Sequence, residues 1–251
     1  MNEKPLLIMI GADKGGVGKT TVSRSLLDYF EAQNIKYRAF DSETPQGVLN
    51  RFYPNSSQIL DLSVVADQMK IFDTLSNDTV TVIDVRAGLL SPTLETLGNV
   101  GLLDMVREDK VCLVVLHVLG PSLASLREIE QTADIIKGAK HFLVKNYINN
   151  TNFFDWDKET FEQAFKNIRS GIIEIPHLNE LAAEHIEQSG ATFTNFINNK
   201  KPDGSDAAFS MVLRGYVRTW LKKIYENFNS VELNNIAKSG NINYHGYVEI
   251  K

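Results

Sequence analysis

Residues 14–21 read Lys14-Gly15-Gly16-Val17-Gly18-Lys19-Thr20-Thr21. The stretch follows an apolar run at residues 6–10 and opens a segment, residues 20–32, that has helical periodicity. Glycines at such a point let backbone N–H groups turn inward around an anion, and the following helix presents its positive N-terminus to the same anion. The sequence therefore predicts a phosphate-binding loop, in which Lys19 reaches the β- and γ-phosphates and the Thr20 hydroxyl ligates Mg²⁺.

Length and composition are those of an ordinary globular protein: 251 residues, 43% of them hydrophobic and 23% charged. The net charge of −5 excludes a globally basic nucleic-acid coat but leaves room for a local basic patch. The single cysteine, Cys112, excludes an intramolecular disulfide. No apolar stretch approaches the roughly 18 to 20 residues that span a bilayer, and we expect a cytoplasmic protein.

Short apolar runs alternate with helical segments along most of the chain. Strands are predicted at residues 6–10, 37–40, 80–84, 111–118, 141–145 and 172–175, and helices at 20–32, 92–107, 122–137, 155–168 and 179–188. This alternation predicts an α/β fold with a doubly wound, mostly parallel sheet flanked by helices. We expect one domain over residues 1–228, closed by a helix at about 207–228. Residues 229–251 form an Asn-rich extension, predicted to be flexible or to add a strand near 242–250.

The loop departs from the common G-x-x-x-x-G-K-[ST] pattern, because Asp13 occupies the first glycine position and Lys14 adds a second cation. In both respects it resembles the deviant Walker A motif of the ParA/MinD family of ATPases. The resemblance covers roughly residues 5–195 and implies the P-loop NTPase fold of the SIMIBI class, ATP and Mg²⁺ as cofactors, and a homodimer that forms on ATP binding. In that family the early lysine, here Lys14, reaches the partner's nucleotide across the dimer interface. The residues assigned to the phosphate cradle are Lys14, Gly15, Gly16, Val17, Gly18, Lys19, Thr20 and Thr21.

Three carboxylates follow predicted strands. Asp41 matches the first acid of the family's Asp-x-Asp motif, and Glu43 stands where the family has the aspartate that positions the attacking water. The extra methylene of Glu43 displaces its carboxylate, so slow hydrolysis is expected; the alternative is that Glu43 has no part in the chemistry. Asp84 ends the run at 80–84 in the Walker B arrangement and is expected to hold Mg²⁺ through water, beside Thr20.

Other positions are assigned through the same resemblance. Gly88 is expected to sense the γ-phosphate with its backbone N–H, whereas Arg86 either contacts a partner or is solvated. No Asn-Lys-x-Asp motif for guanine occurs in the chain, which favours adenine. Asn146 is expected to contact that base, although a strand-end cap is the alternative. Pro176 and Leu178 match the family's segment that closes over the base.

A basic stripe is predicted on the C-terminal helix. Arg214, Arg218 and Lys222 recur every four residues, with Lys223 beside them. In a ParA-like dimer such a stripe would bind DNA nonspecifically, while the alternative is a solvated helix face. The chain has no terminal amphipathic helix of the kind that anchors proteins to membranes, so membrane attachment is not expected.

The sequence thus favours an ATP-dependent dimerisation switch with slow, partner-stimulated hydrolysis, acting in the partition or positioning of plasmid DNA or another large cargo. Two alternatives stay open. One is a metabolic ATP-dependent ligase or synthetase on the same fold, similar to dethiobiotin synthetase. The other is a nucleotide-binding scaffold with negligible hydrolysis, which the Glu43 substitution would explain.

Overall fold

A computed structural model of the chain describes residues 4–120, 123–148, 153, 159 and 170–239. The strands are β1 (Leu6–Gly11), β2 (Tyr37–Asp41), β3 (Ser57–Ile59), β4 (Val80–Asp84), β5 (Cys112–Val118), β6 (Lys140–Asn146) and β7 (Gly171–Ile175). The helices are α1 (Lys19–Ala32), α2 (Val48–Phe52), α3 (Val65–Phe72), α4 (Leu90–Asn99), α5 (Leu102–Arg107), α6 (Leu123–Ile135), α7 (Glu180–Ser189), α8 (Phe193–Ile197), α9 (Met211–Ser230) and α10 (Leu233–Ser239).

The seven strands form one sheet in the order β3-β2-β4-β1-β5-β6-β7, and every strand pairing is parallel. The predicted doubly wound parallel sheet is therefore confirmed. The central strand β1 pairs with β4 in the register Ile10↔Asp84 and with β5 in the register Gly11↔His117. Because the carboxyl ends of parallel strands meet at one edge, this register brings the start of the phosphate loop beside Asp84 and His117.

Both faces of the sheet are covered by helices, which explains why the strands are apolar at consecutive positions. On β1, Leu6, Ile8 and Ile10 belong to the core on one face, where α1, α7, α8 and α9 pack. Leu7 and Met9 belong to the core on the other face, beside α3, α4 and α5. The phosphate loop thus leaves a strand that is buried on both sides and held rigidly.

The structure corrects several predicted boundaries. The predicted helix at 92–107 is two helices, α4 and α5, because Gly101 between them adopts a left-handed backbone with φ 76°. The C-terminal helix α9 begins at Met211, where the Ser210 side chain accepts a hydrogen bond from the Leu213 N–H. Sequence periodicity missed the short elements β3, α2, α3, α8 and α10, the last of which lies in the Asn-rich segment.

The predicted helix at 155–168 and the strand near 242–250 lie outside the described residues, except for position 159. Among the helices that the structure does describe, none is long and apolar enough to cross a membrane.

Candidate nucleotide-binding site

The phosphate loop turns directly from β1 into α1. Gly18 precedes the first helical residue and has φ 82°, in the left-handed region that favours glycine. A Cβ atom at Gly18 would clash with the Asn146 side-chain amide, so a larger residue is excluded by space as well as by backbone conformation. No side chain caps the N-terminus of α1, and its first turn holds no acidic residue. The N–H groups of such a first turn can bind an anion.

A polar cavity of about 210 Å³ adjoins the loop. It is lined by Gly16, Gly18, Lys19, Thr20, Thr21, Asp41, Glu43, Asp84, Val85, Arg86 and Ala87. The structure thus brings together residues from the ends of β1, β2 and β4 that sequence analysis assigned to phosphates, magnesium and water. This convergence of one lysine with several carboxylates is suited to a magnesium-bound polyphosphate.

Lys19 is buried at the floor of this cavity, with Nζ 3.4 Å from the carbonyl oxygen of Lys14. Burial lowers the pKa of Lys19, and the nearby charges of Asp84 and Glu43 act in the opposite direction. A buried ammonium gains most from an anion placed directly on it, because screening by water is weak there. Phosphate oxygens would supply that anion.

Asp84 ends β4 and is also buried. Burial raises the pKa of Asp84 to about 7, the charge of Asp41 adds to this, and a hydrogen bond with Thr20 opposes it. Its Oδ1 atom is buried and has no hydrogen-bond partner in the described residues. An unpaired buried carboxylate oxygen beside a threonine hydroxyl fits hydrated Mg²⁺, which takes few protein ligands and keeps several waters. No cluster of three or more histidine, cysteine or acidic side chains that could hold a metal occurs in the part of the chain described.

Asp41 holds the segment that follows β2. One of its carboxylate oxygens accepts a hydrogen bond from the Glu43 N–H at 3.0 Å, and the other accepts from the Asn50 N–H at 3.0 Å. With both oxygens engaged, Asp41 positions the backbone of Glu43. Both acids line the polar cavity, and the two hydrogen bonds give Asp41 the additional task of anchoring the backbone of Glu43.

Ser42, which sequence analysis missed, joins the ends of β2 and β4. Its hydroxyl donates to the Asp84 carbonyl oxygen at 3.1 Å and accepts from the Arg86 N–H at 2.7 Å. Arg86 itself is exposed and lines the polar cavity. The segment carrying Glu43 and the one carrying Arg86 are thereby held in a fixed relation.

A buried polar chain supports the other side of the loop. The Asp13 N–H donates to the Glu128 carboxylate, which lies 3.1 Å from His117 Nε2, and His117 Nδ1 lies 3.3 Å from His141 Nε2. Since a carboxylate only accepts, His117 donates to Glu128 through Nε2. Which of the two rings donates across the His117–His141 contact depends on their protonation. Burial and the neighbouring His117 lower the pKa of His141 to about 3, so His141 stays neutral.

Sequence analysis also missed Glu128, His117 and His141. The signal was a histidine within each of two predicted strands, at position 117 in an apolar strand and at position 141 directly before the apolar residues 142–144. Asp13 occupies the position at which the common motif has its first glycine. Its side chain accepts hydrogen bonds from the Ser91 N–H at 3.1 Å and from the Ser91 hydroxyl at 2.6 Å. Asp13 therefore ties the loop to the first turn of α4.

Two further loop residues have defined positions. The Gly88 N–H donates to the Ala12 carbonyl oxygen at 3.3 Å, which places Gly88 beside the phosphate loop. To sense a γ-phosphate, as predicted, that N–H would have to leave Ala12. Lys14 is exposed, and its side chain passes over Gly120, where an added Cβ would lie 2.8 Å from Lys14 Cδ.

A second cavity, of about 260 Å³ and mainly apolar, lies on the other side of Thr21. It is lined by Thr21, Arg24, Asn146, Ile148, Pro176, His177, Leu178, Glu180, Ala183, Ile186, Glu187, Phe193 and Trp220. All three residues predicted to contact the base are therefore brought to one place. The Trp220 Nε1–H donates to the Pro176 carbonyl oxygen at 2.7 Å and fixes the segment at the mouth of the cavity.

Asn146 has a second function beside lining this cavity. Its Nδ2 donates to the carbonyl oxygens of Val17 and Gly18 at 3.1 and 3.2 Å. Both amide hydrogens are thus used by the phosphate loop, which leaves the side-chain oxygen for contact with a ligand.

The predicted basic stripe on α9 is smaller than its spacing suggested. Arg214 is half-buried and donates from Nη1 to the Ile197 carbonyl oxygen at 3.4 Å. Arg218 and Lys223 are exposed, and exposed Lys222 lies 3.9 Å from Glu226. Arg214 contacts the chain's own backbone because its side chain turns toward α8, a direction that helical periodicity does not reveal.

A doubly wound parallel sheet, a glycine loop between β1 and α1, and a carboxylate at the end of β4 together define a P-loop nucleoside triphosphatase fold. Solved structures similar to the chain include ParA/MinD-type ATPases and a nucleotide-binding protein. The ParA/MinD family is also the one that the phosphate loop resembles.

Among them, the septum site-determining protein MinD from Pyrococcus horikoshii, in complex with Mg-ADP, is 16% identical, with a TM-score of 0.49 over 92% of this chain and 98% of that one. A ParA family ATPase from Chlorobium tepidum is 15% identical, with a TM-score of 0.47 over 87% and 98% of the two chains. A nucleotide-binding protein from Archaeoglobus fulgidus, in complex with ADP, is 17% identical, with a TM-score of 0.48 over 74% and 86%.

No protein-family model matches the sequence, and no curated protein matches it. Because one fold hosts many functions, the function of this chain depends on its own site residues.

The first prediction concerns Lys19. Lys19→Ala should weaken Mg-ATP binding by at least about tenfold, because the phosphates lose a charge-assisted hydrogen bond in a buried site. The measurement is the dissociation constant by calorimetry. Lys36→Ala is the matched control, since Lys36 is exposed and pairs with Asp78 at 3.0 Å outside the cavity. Parental affinity in Lys19→Ala would show that the phosphates bind elsewhere.

Proposed function

We propose that the chain binds Mg-ATP, hydrolyses it slowly, and uses the bound nucleotide to control a homodimer. The observation that carries the proposal is the junction of two unlike cavities at Thr21. One is polar and is lined by Lys19, while the other is mainly apolar and is lined by Pro176. A nucleoside triphosphate has this same division, with a charged tail and a flat, weakly polar base.

Each residue of the polar cavity has a distinct task in this proposal. The N–H groups at the start of α1 and the Lys19 ammonium hold the phosphates. Thr20 would hold Mg²⁺ directly and Asp84 would hold it through water, and the bound ion would supply positive charge beside the transferred phosphoryl group. Glu43, held by Asp41, accepts a hydrogen bond from the attacking water and orients it.

The rate is expected to be low. Glutamate reaches farther than aspartate, and an error of about 1 Å in positioning can cost on the order of 100-fold in rate. Because the Glu43 backbone is tied to Asp41, the side chain alone must adjust to the water. A stimulating partner protein would then act by improving the position of Glu43.

Dimerisation is proposed from the position of Lys14. This lysine lies in the loop and is exposed, yet it is not among the residues that line the chain's own polar cavity. The Lys14 ammonium group lies beside the phosphate site of its own subunit but does not enter it. It is therefore available to the phosphate site of a second subunit. Two subunits facing each other across ATP would each supply Lys14 to the other's phosphates, in the manner of a finger residue acting in trans.

A second prediction follows from this geometry. Lys14→Ala should bind Mg-ATP with parental affinity but should stay monomeric, because the ion pair that the substitution removes lies between subunits. Light scattering after gel filtration with Mg-ATP measures this, in a Glu43→Ala background that slows turnover. Lys70→Ala serves as the control, since Lys70 is exposed on α3 and pairs with Asp67 at 2.6 Å. An ATP-dependent dimer of Lys14→Ala in that background, together with parental hydrolysis by the Lys14→Ala single variant, would reduce Lys14 to a surface residue.

We propose that the switch acts in positioning or partition of a large cargo such as plasmid DNA. The support is the cationic patch on α9, which consists of Arg218, Lys222 and Lys223. A subunit of net charge −5 is repelled by DNA at long range, so a single patch competes poorly. Pairing two subunits doubles the patch to six cations, which makes DNA binding depend on ATP.

The third prediction tests this ligand. With six cations on phosphates, affinity for random-sequence duplex should fall by up to about a thousandfold between about 50 and 200 mM salt. Replacing Arg218, Lys222 and Lys223 with glutamine should weaken binding to all sequences alike and reduce the salt dependence, with ATP binding intact. The measurement is fluorescence anisotropy with Mg-ATP and Glu43→Ala. Absence of binding at low salt would reject DNA and favour a protein as the ligand of the dimer.

A further inference from the structure

Arg24 lies on α1 just beyond Thr21 and lines the apolar cavity, although it is 3% exposed. Its guanidinium group is enclosed by two aromatic rings. The Cζ atom lies 3.4 Å from the centroid of the Phe52 ring and 4.4 Å from that of Phe193. Aromatic rings pack against the flat faces of a guanidinium group, whereas its N–H groups lie along the edge. The edge therefore remains for hydrogen bonds with other groups.

That edge is only partly satisfied. Nη1 of Arg24 forms an ion pair with Glu187, while Nε and Nη2 are buried and have no hydrogen-bond partner among the described residues. Buried N–H groups on a charged side chain are rarely left unpaired, because losing water without gaining a partner is costly. The described residues place no acceptor within hydrogen-bond distance of these two donors, although the buried Oδ1 atom of Asp28, one turn farther along α1, is also unpaired.

We infer that Arg24 recognises the nucleobase, by donating a hydrogen bond from the edge that carries Nε and Nη2 to one ring nitrogen of a purine in the apolar cavity. The inference rests on the proposed nucleotide function. A base whose phosphates lie on the loop must pass Thr21, which lines both cavities, to reach Arg24. Asn146, with both amide hydrogens on loop carbonyls, can only accept from the base. Adenine meets both demands, since it has an amino donor and ring-nitrogen acceptors.

A purely structural task for Arg24 would be to hold Glu187 and Phe52. Arg51 already contacts both: its Nη2 lies 3.3 Å from Glu187 Oε2, and its Cζ lies 4.6 Å from the Phe52 ring centroid. The Arg51 side chain is 53% exposed and does not line the cavity. Arg51 is therefore a matched control, with the same protein partners and no access to the base.

The test compares Arg24→Met and Arg51→Met with the parent by calorimetry, using Mg-ATP and the three deaza analogues that lack N1, N3 or N7. The parent should bind one of these analogues about tenfold more weakly than ATP, the value expected when a hydrogen bond to a charged donor is removed. Arg24→Met should bind ATP about tenfold more weakly and should no longer distinguish ATP from that analogue. Arg51→Met should keep the parental affinities and the parental discrimination.

Two results would overturn the inference while leaving the nucleotide site intact. One is a parent that binds ATP and all three analogues alike, a result that needs no variant to fold. The other is Arg24→Met with the parental affinity for ATP or the parental discrimination. Should Arg24→Met fail to fold, Arg24→Lys keeps the charge and the aliphatic stem but not the planar edge, and must lose the same discrimination. A parent that binds no nucleotide would contradict the proposed function as well.

Discussion

The side-chain amide of Asn146 donates hydrogen bonds to the carbonyl oxygens of Val17 and Gly18, and so holds the phosphate loop against the end of β6. This arrangement requires glycine at position 18, since a Cβ there would meet the amide. It also places a wall of the apolar cavity directly against the phosphate loop. The position of the phosphate loop beside the apolar cavity thus depends on this one side chain.

Charge arrangement in the polar cavity follows from the sheet. Parallel strands deliver Asp41 and Asp84 to one edge, in direct register, and α1 starts there with Lys19. Burial raises the pKa of Asp84 and lowers that of Lys19, so each group is driven toward its neutral form. A magnesium–polyphosphate pair brings a cation to the carboxylates and anions to the lysine, which favours the charged form of both. The same electrostatics that weaken the isolated site would therefore favour binding of the proposed ligand.

Sequence predicted the sheet and the loop because both are encoded locally, in consecutive apolar residues and in glycine spacing. It missed elements as short as β3 and α2, which have too few residues to show a period. It also missed the link from Glu128 to His117 and Asp13, and the place of Arg24 between Phe52 and Phe193, because those partners come from distant parts of the chain. The remaining difference is at Arg214, which sequence analysis placed in the basic stripe by its helical spacing. Its guanidinium group turns toward the Ile197 carbonyl oxygen, and spacing alone does not reveal the direction of a side chain.

A crystal structure of the chain with Mg²⁺ and a non-hydrolysable ATP analogue is the most direct measurement. We expect the phosphates within hydrogen-bond distance of the backbone N–H groups of residues 15–20 and of Lys19 Nζ, with Mg²⁺ beside Thr20. The base should lie in the apolar cavity, between Asn146 and Pro176. A nucleotide bound at another surface, or a polar cavity without phosphates at a saturating analogue concentration, would contradict the proposed nucleotide site.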